Sequence, residues 1–288
     1  FLCALSPLNV TLICCCGCKK KMCGDTKAQA AEKKEQKRKD ELKRVQSPHP
    51  EFTFTNPGNG APLLTGVRVV ELATVIAGPS AGRIFADNGA EVIRVEPPSG
   101  TMWRRYLNFL ERDRKTFVTS FEHVNFNKSS VVIDISSDSG LADMKRLLES
   151  ADVFITNVRL PALKRAGLDY ASLKNSHAHL VYGHLSAWGL VGPNEADPGY
   201  DFGAFWAQTG MASQMNAQGH FSQYPGAFGD TVGGSVLVGG LATGLRARLR
   251  NGGFGCYVEA SLLRTGIWVM APLLLRSAEA ESRKFAAQ

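Results

Sequence analysis

The amino-acid sequence predicts an α/β fold in which helices cover a doubly wound, mostly parallel, Rossmann-like sheet. Apolar segments of strand length alternate with segments of helical periodicity through the middle of the 288-residue chain. The first two strands and the helix between them occupy about 30 residues, the usual length of a βαβ unit. A hydrophobic content of 44% with 20% charged residues is typical of a globular protein with a sizeable core. Together these observations predict right-handed crossovers between parallel strands.

The predicted elements alternate regularly along the chain. The first strand, residues 66–72, precedes a helix over residues 79–88 that ends at Gly89. Later strands are predicted over residues 91–96, 130–135, 153–156 and 180–185, and later helices over residues 140–150, 160–166 and 170–175. Ligands bind such sheets beyond the carboxyl ends of the strands. The candidate binding loops are therefore residues 74–78, 97–106, 157–161 and 186–201.

Motifs for the common nucleotide ligands are absent from these loops. The loop after the first strand has no G-x-G-x-x-G pattern, and the chain has no G-x-x-x-x-G-K-[ST] phosphate loop. This argues against a dinucleotide cofactor. The six histidines show no metal-ligand spacing, so no metal site is predicted.

Charge and cysteine are concentrated in the first part of the chain. Residues 19–44 contain eleven Lys or Arg against five Asp or Glu, which accounts for +6 of the net charge of +7. The nearly neutral remainder argues against a nucleic-acid partner. Six of the seven cysteines lie in residues 1–23, and the lysines at 19–21 that follow leave a membrane contact of this tail open. Residues 1–62 are predicted to form a charged, disordered tail and linker.

The segment around Asp230 is the strongest candidate for chemistry. Its sequence is Ala-Phe-Gly-Asp-Thr-Val-Gly-Gly over residues 227–234, so a carboxylate lies among small, flexible residues. Two interpretations remain at this point. Asp230 either caps a helix over residues 235–249 or acts as a reactive group beside a bulky ligand.

Six blocks of sequence together resemble the class III CoA-transferases, the family that includes formyl-CoA transferase, carnitine CoA-transferase and the α-methylacyl-CoA racemases. The blocks are residues 64–96, 127–130, 151–168, 180–193, 198–201 and 229–234. The resemblance covers roughly residues 64–275. It implies that residues 63–235 form a CoA-binding α/β domain and that residues 236–288 form a linker helix region and the start of a second, small domain.

The resemblance implies that Asp230 is the catalytic carboxylate. It would attack an acyl-CoA thioester to give a mixed anhydride, and then form an aspartyl-CoA thioester from which an incoming acid takes the CoA. Gly229, Gly233 and Gly234 would let backbone N–H groups approach each oxyanion. CoA and acyl-CoA are then substrates, and no tightly bound cofactor is expected.

The resemblance also implies contacts with CoA in three regions. One region lies along the pantetheine, one near the phosphates and one around the adenine. The matching residues are Val75, Ile76 and Ala77 for the pantetheine, Lys128 and Arg165 for the phosphates, and Asn157, Val158 and Ala166 for the adenine.

Tyr200 and Asp201 separate the branches of the family. Racemases have a His-Asp pair at this position, and a tyrosine is a poor base at neutral pH. The sequence therefore favours transfer, with an acyl-CoA racemase and a non-catalytic CoA-binding fragment as alternatives. Asp201, Trp103 and Arg104 are expected to support or orient the incoming carboxylic acid.

Members of this family form interlocked homodimers, and the resemblance implies the same partner here. It also implies that the family continues through the small domain beyond Gln288. We therefore expect weak activity from residues 1–288 alone and exposed apolar surface over residues 262–275. The single cysteine of the body, Cys256, indicates a reducing compartment, either the cytoplasm or the mitochondrial matrix.

Overall fold

The computed structural model describes residue 58 and residues 60–104, 119–215 and 227–286. The predicted tail therefore lies almost wholly outside the described residues. The described residues belong to one unit of the chain, residues 48–288.

Six parallel strands form a single sheet. They are β1 (Arg68–Leu72), β2 (Glu91–Glu96), β3 (Ser129–Val132), β4 (Val153–Thr156), β5 (Val181–Ser186) and β6 (Tyr257–Ser261). Their spatial order is β3-β2-β1-β4-β5-β6, and every neighbouring pair is parallel. The order reverses between β1 and β4, where Leu72 pairs with Thr156. The loops that follow these two strands thus lie side by side, at the place where such sheets bind ligands.

Helices connect the strands and cover the sheet. They are α1 (Ala77–Asp87), α2 (Thr119–His123), α3 (Asp138–Glu149), α4 (Leu160–Ala166), α5 (Tyr170–Leu173), a π-helix (Phe202–Ala207), α6 (Met211–Gln214), α7 (Phe228–Arg250) and α8 (Leu262–Ala286). Ser137 begins α3 with a side-chain cap, because its hydroxyl accepts a hydrogen bond from the N–H of Gly140. Gly167 follows α4 in the left-handed conformation that suits a helix end.

The core consists of two apolar clusters on opposite faces of the sheet. Val69 of β1 belongs to the cluster that contains Phe85 of α1 and Leu237 of α7. Its neighbour Val70 belongs to the other cluster, with Met144 of α3. Adjacent residues of a strand point to opposite faces, so helices pack on both sides of the sheet. This confirms the predicted doubly wound α/β class.

Strand β6 was not predicted, because its sequence Tyr-Val-Glu-Ala-Ser follows a glycine-rich turn and contains a central glutamate. It pairs with β5 at the edge of the sheet, and α7 crosses residue 235 without a break. Residues on both sides of the predicted boundary thus contribute to one sheet and its helices. The start of a second domain within residues 236–288 stays a prediction.

Helix α8 exposes much of its apolar surface, in agreement with the expectation for residues 262–275. Trp268 is 79% exposed and Leu275 is 70% exposed. Within the described residues, no helix combines the length and apolar character needed to cross a membrane.

Candidate active site

The loop between β1 and α1 has an unusual backbone conformation that a neighbouring side chain holds. Val75 has φ of 59°, a left-handed value that costs a β-branched residue on the order of 1–3 kcal/mol. Just before it, the N–H of Thr74 donates to Asn157 Oδ1 and the carbonyl of Thr74 accepts from Asn157 Nδ2, both at 2.8 Å. Asn157 follows β4, so this amide joins the two loops at the switch point of the sheet.

Asp230 is the third residue of α7 and is 7% exposed. The residue that begins the helix is Ala227, which has φ of 65° and makes no side-chain cap. The alternative that Asp230 caps a helix over residues 235–249 is therefore wrong, because the helix starts seven residues earlier. Asp230 instead lies within the first turn, where the helix dipole favours a negative charge.

A second carboxylate, that of Asp201, lies beside the first turn of α7. Its Oδ2 accepts a hydrogen bond of 3.3 Å from Trp206 Nε1. Burial raises the pKa of Asp201, while Trp206 and the backbone N–H groups of residues 227, 229 and 230 act in the opposite direction. For Asp230, burial and then the nearby charge of Asp201 raise the pKa from 3.8 to about 7. Burial is therefore the larger of the two causes that raise the pKa of Asp230.

The glycines of the motif allow neighbouring residues to pack closely against α7, and they do not expose backbone N–H groups to a ligand. A Cβ atom on Gly229 would overlap Asp201 Oδ1 and the ring of Phe205. A Cβ atom on Gly234 would lie 2.7 Å from the carbonyl oxygen of Ala77, at the start of α1. Gly233 and Gly234 lie inside α7, where N–H groups bond to the preceding turn. The structure thus differs from the expectation that these N–H groups face an oxyanion.

Two cavities meet at Asp230. The first has a volume of about 400 Å³ and the second about 830 Å³, and Tyr200 and Asp230 line both. The residues predicted to bind CoA that line the first cavity are Val75, Ala77, Asn157 and Val158. The predicted residues that line the second cavity are Ile76, Trp103 and Asp201. The loop between β1 and α1 therefore contributes to both cavities, as Asp230 does.

Lys128 does not line either cavity. Its ammonium group is buried, with 2.6 Å to Glu71 Oε2 and 2.7 Å to the carbonyl of Pro79. Burial lowers the pKa of Lys128, and the charge of Glu71 partly opposes this. The expected contact with a CoA phosphate is thus replaced by an internal ion pair that ties α1 to β1.

Arg104 also differs from its expected role. Its guanidinium makes two hydrogen bonds to the carboxylate of Glu96, at 3.1 and 2.8 Å, and lies 4.0 Å from the ring centre of Phe121. It is therefore occupied by a carboxylate of the protein itself. Arg165 is exposed and Ala166 packs on the core, and neither lines one of these two cavities.

Sequence reasoning missed Arg159, an exposed residue that lines the first cavity. It lies in the candidate loop 157–161, and a basic residue two positions after Asn157 was the available signal. Among the described residues, no group of three or more His, Cys, Asp or Glu side chains is arranged to hold a metal ion.

Comparisons with known proteins identify the family of the chain. The family model described as CoA-transferase family III matches residues 64–286. The cinnamoyl-CoA:phenyllactate CoA-transferase of Clostridium sporogenes is 35% identical over 219 residues, which are 73% of this chain and 51% of that protein. The (R)-2-hydroxy-4-methylpentanoate CoA-transferase of Clostridioides difficile is 33% identical over 217 residues, 74% of this chain and 53% of that protein. The chain thus spans about half the length of these curated relatives.

Solved protein structures also resemble this chain. The crystal structure of Rv3272 from Mycobacterium tuberculosis matches with a TM-score of 0.68 and 30% identity, over 76% of this chain and 59% of that one. A CAIB/BAIF family protein from Brucella suis matches with a TM-score of 0.67 and 29% identity, over 77% of this chain and 58% of that one. The fold, the matched residues and the relatives lead to one conclusion: the chain belongs to CoA-transferase family III.

Proposed function

We propose that this chain provides the CoA-binding domain and the nucleophile of a CoA-transferase. The observation that carries the proposal is the buried carboxylate of Asp230 at the junction of two cavities. In this reaction the thioester spans the junction, with the pantetheine in the first cavity and the acyl group in the second. A carboxylate removed from water is a better nucleophile than a hydrated one.

The reaction proceeds through covalent intermediates on Asp230. A carboxylate oxygen attacks the thioester carbonyl, the C–S bond breaks, and CoA leaves as its thiolate. The thiolate attacks the aspartyl carbonyl of the anhydride and releases the first acid. The carboxylate of the second acid then attacks the aspartyl thioester, the C–S bond breaks, and CoA leaves again as its thiolate from a second mixed anhydride. The thiolate attacks the carbonyl of the second acid in that anhydride, which gives the product thioester and frees the carboxylate of Asp230.

The first cavity has features that suit the pantetheine and diphosphate of CoA. Its walls come from the loop after β1 and from Pro198, Gly199 and Leu262. Arg159 stands at the same cavity and is exposed, so its guanidinium is available to a phosphate. This assigns to Arg159 the role that the sequence resemblance gave to Lys128.

The second cavity favours an acid with an apolar body. Apolar and aromatic side chains among its described lining residues are Ile76, Trp103, Val124 and Phe202. Arg104, the expected partner of an acidic acceptor, is paired with Glu96. Relatives named for phenyllactate and for 2-hydroxy-4-methylpentanoate are consistent with such a pocket. We expect aromatic and branched acids to be used before dicarboxylic acids.

Hydroxylamine trapping tests the proposal. The chain is incubated with an acyl-CoA, treated with hydroxylamine and digested, and mass spectrometry locates the hydroxamate. We expect it on Asp230, and no hydroxamate with Asp230→Asn. Asp143→Asn, which changes an exposed carboxylate on α3, is the matched control.

Two other results would support the alternative functions. Deuterium uptake at the α-carbon without an acid acceptor would indicate a racemase. CoA binding by calorimetry, with no exchange between labelled CoA and acyl-CoA, would indicate a non-catalytic binding domain. An interlocked homodimer, expected from the resemblance, belongs to this proposal and is tested by sedimentation.

A further inference from the structure

Asn157 uses both ends of its side-chain amide on the backbone of one residue. Its Oδ1 accepts the N–H of Thr74 and its Nδ2 donates to the carbonyl of Thr74, at 2.8 Å each. The two residues are 83 positions apart and meet because β1 and β4 are neighbours at the switch point. The amide therefore reproduces the paired hydrogen bonds of a strand, one step beyond the end of the sheet.

The residue that follows this clamp is the strained one. Val75 has φ of 59°, which a β-branched side chain adopts only where its surroundings fix the backbone. The loop also packs directly on the amide, since a Cβ atom on Gly78 would lie 3.2 Å from Asn157 Cγ. The clamp on Thr74 and the contact at Gly78 together hold Val75 from both sides.

The strained turn leaves two N–H groups available. Thr74 donates to Asn157 and Ser80 donates to the carbonyl of Ile76, whereas the N–H groups of Val75 and Ile76 donate to no described residue. Val75 and Ile76 line different cavities, and Asp230 lines both. The turn therefore lies where the two cavities meet.

We propose that Asn157 is a positioning residue, whose amide holds Val75 in the left-handed conformation and so presents the N–H groups of Val75 and Ile76 to the oxyanion formed opposite Asp230. This differs from the expectation that Asn157 contacts the adenine, because its amide is turned to Thr74. The inference rests on the CoA transfer proposed above.

The test asks whether the hydrogen bonds of Asn157 and the left-handed conformation of Val75 act together. The variants are Asn157→Ala, Val75→Gly and the double variant, in the full chain. Asn157→Ala removes the clamp, so we expect kcat to fall roughly 10- to 100-fold while KM for acyl-CoA changes less than about threefold. Glycine adopts positive φ without strain, so the fall in kcat is expected to be several-fold smaller when Asn157→Ala is made in the Val75→Gly background.

Hydrogen exchange provides a readout that does not depend on activity. We expect Asn157→Ala to speed exchange in the peptide covering residues 73–78 by at least about tenfold. Asn251→Ala, which changes an exposed asparagine after α7, is the matched control and should alter neither exchange nor kcat.

Specific results would overturn the inference. A raised KM with unchanged kcat would indicate that Asn157 binds CoA directly. An equal loss of kcat in both backgrounds would show that the effect of Asn157 does not depend on the backbone strain at Val75. If the unmodified chain transfers no CoA, the proposed function fails, and the exchange measurement alone decides the role of Asn157. Unchanged exchange in Asn157→Ala would then reject it.

Discussion

The carboxyl group of Asp230 is buried, which lowers the stability of the fold when the group is charged and suits the chemistry proposed for it. Burial and the neighbouring Asp201 raise its pKa to about 7, so near neutral pH the carboxylate form is only partly populated. Asp201 has a second role as well, since its carboxylate lies against the N–H groups at the start of α7. One buried carboxylate therefore supports the helix that presents the other.

The rate of CoA release should depend on the ionisation of Asp230. Attack requires the carboxylate, so we expect the single-turnover rate to fall as the pH decreases through about 7. Asp201→Asn removes the nearby negative charge and should move the midpoint to lower pH. Stopped-flow detection of the free thiol measures both profiles, with Asp143→Asn as the control. An unchanged midpoint in Asp201→Asn would mean that the two carboxylates do not interact.

The same ionisation should lower stability as the pH rises. The folded-state pKa of Asp230 is raised above 3.8, so the folded state holds the proton more tightly, and stability is lost as the pH increases from about 4 to 7. We expect Asp230→Asn to increase the free energy of unfolding by roughly 2–4 kcal/mol at pH 8 and to have little effect at pH 4. Urea denaturation at the two pH values measures this difference. A gain of equal size at both would contradict the raised pKa.

The roles of single residues show the limit of sequence reasoning. The motif around Asp230 left a helix cap and a reactive group as alternatives, and only the resemblance to a family singled out its carboxylate. Lys128 and Asn157 were assigned to CoA, but their partners Glu71 and Thr74 lie 57 and 83 residues away. A charged or amide side chain acts on whatever the fold brings to it, which local sequence does not contain.

At the scale of elements, α7 is the helix that carries Asp230 and so contributes to the candidate site. It begins beside Asp201, passes α1 at Gly234 and packs on β5 through Leu241, which approaches Gly183. Glycines on one helix therefore serve different purposes. Some permit contact with neighbouring elements, while Gly239 faces open space.

Two glycine substitutions on α7 should have opposite effects. Gly229→Ala places a Cβ atom on Asp201 and Phe205, so we expect a loss of 1–3 kcal/mol in the free energy of unfolding and at least about a tenfold loss of activity. Gly239→Ala adds a methyl group in open space and should stabilise the helix by about 0.5–1 kcal/mol with unchanged activity. Thermal denaturation and acyl transfer measure both. Equal stability of the two variants would contradict the close contact at Gly229.

The elements themselves were largely predictable. The residues of β2, β4 and α4 match the predicted ranges, because each is bounded by Gly, Pro or a clear change of periodicity. The π-helix and the early start of α7 were not predicted. In the π-helix the rings of Phe205 and Trp206 contact each other and Trp206 donates to Asp201, while α7 follows Ala227 in the left-handed conformation. Neither a contact between side chains nor a left-handed backbone angle is visible in the pattern of apolar residues.

At the scale of the whole molecule, a buried network of charges connects the sheet to α1. Glu71 of β1 binds Lys128, at 2.6 Å, and Arg94 of β2, at 3.0 Å. Lys128 precedes β3 and also bonds to the carbonyl of Pro79 in α1. Strands β1 and β2, the residue before β3 and the first helix are thus joined through Glu71 and Lys128.

Lys128→Met should therefore affect stability rather than CoA binding. Glu71 and Arg94 stay buried with an altered balance of charge, so we expect a loss of about 3–5 kcal/mol in the free energy of unfolding. The dissociation constant for CoA should stay within about twofold in the folded protein. Lys164→Ala, which changes an exposed lysine on α4, is the control. A large rise in the CoA dissociation constant with unchanged stability would restore the phosphate role that the sequence suggested.

The size of the second cavity has a consequence for the fidelity of transfer. A space of about 830 Å³ exceeds the volume of a small acid, and each water molecule occupies roughly 30 Å³. In the proposed reaction a small acid therefore leaves water beside the anhydride, whereas a bulky apolar acid displaces it. The fraction of thioester lost to hydrolysis should increase as the acid becomes smaller. The proposed transferase would thus lose the energy of the thioester to hydrolysis with small acids and conserve it with large ones.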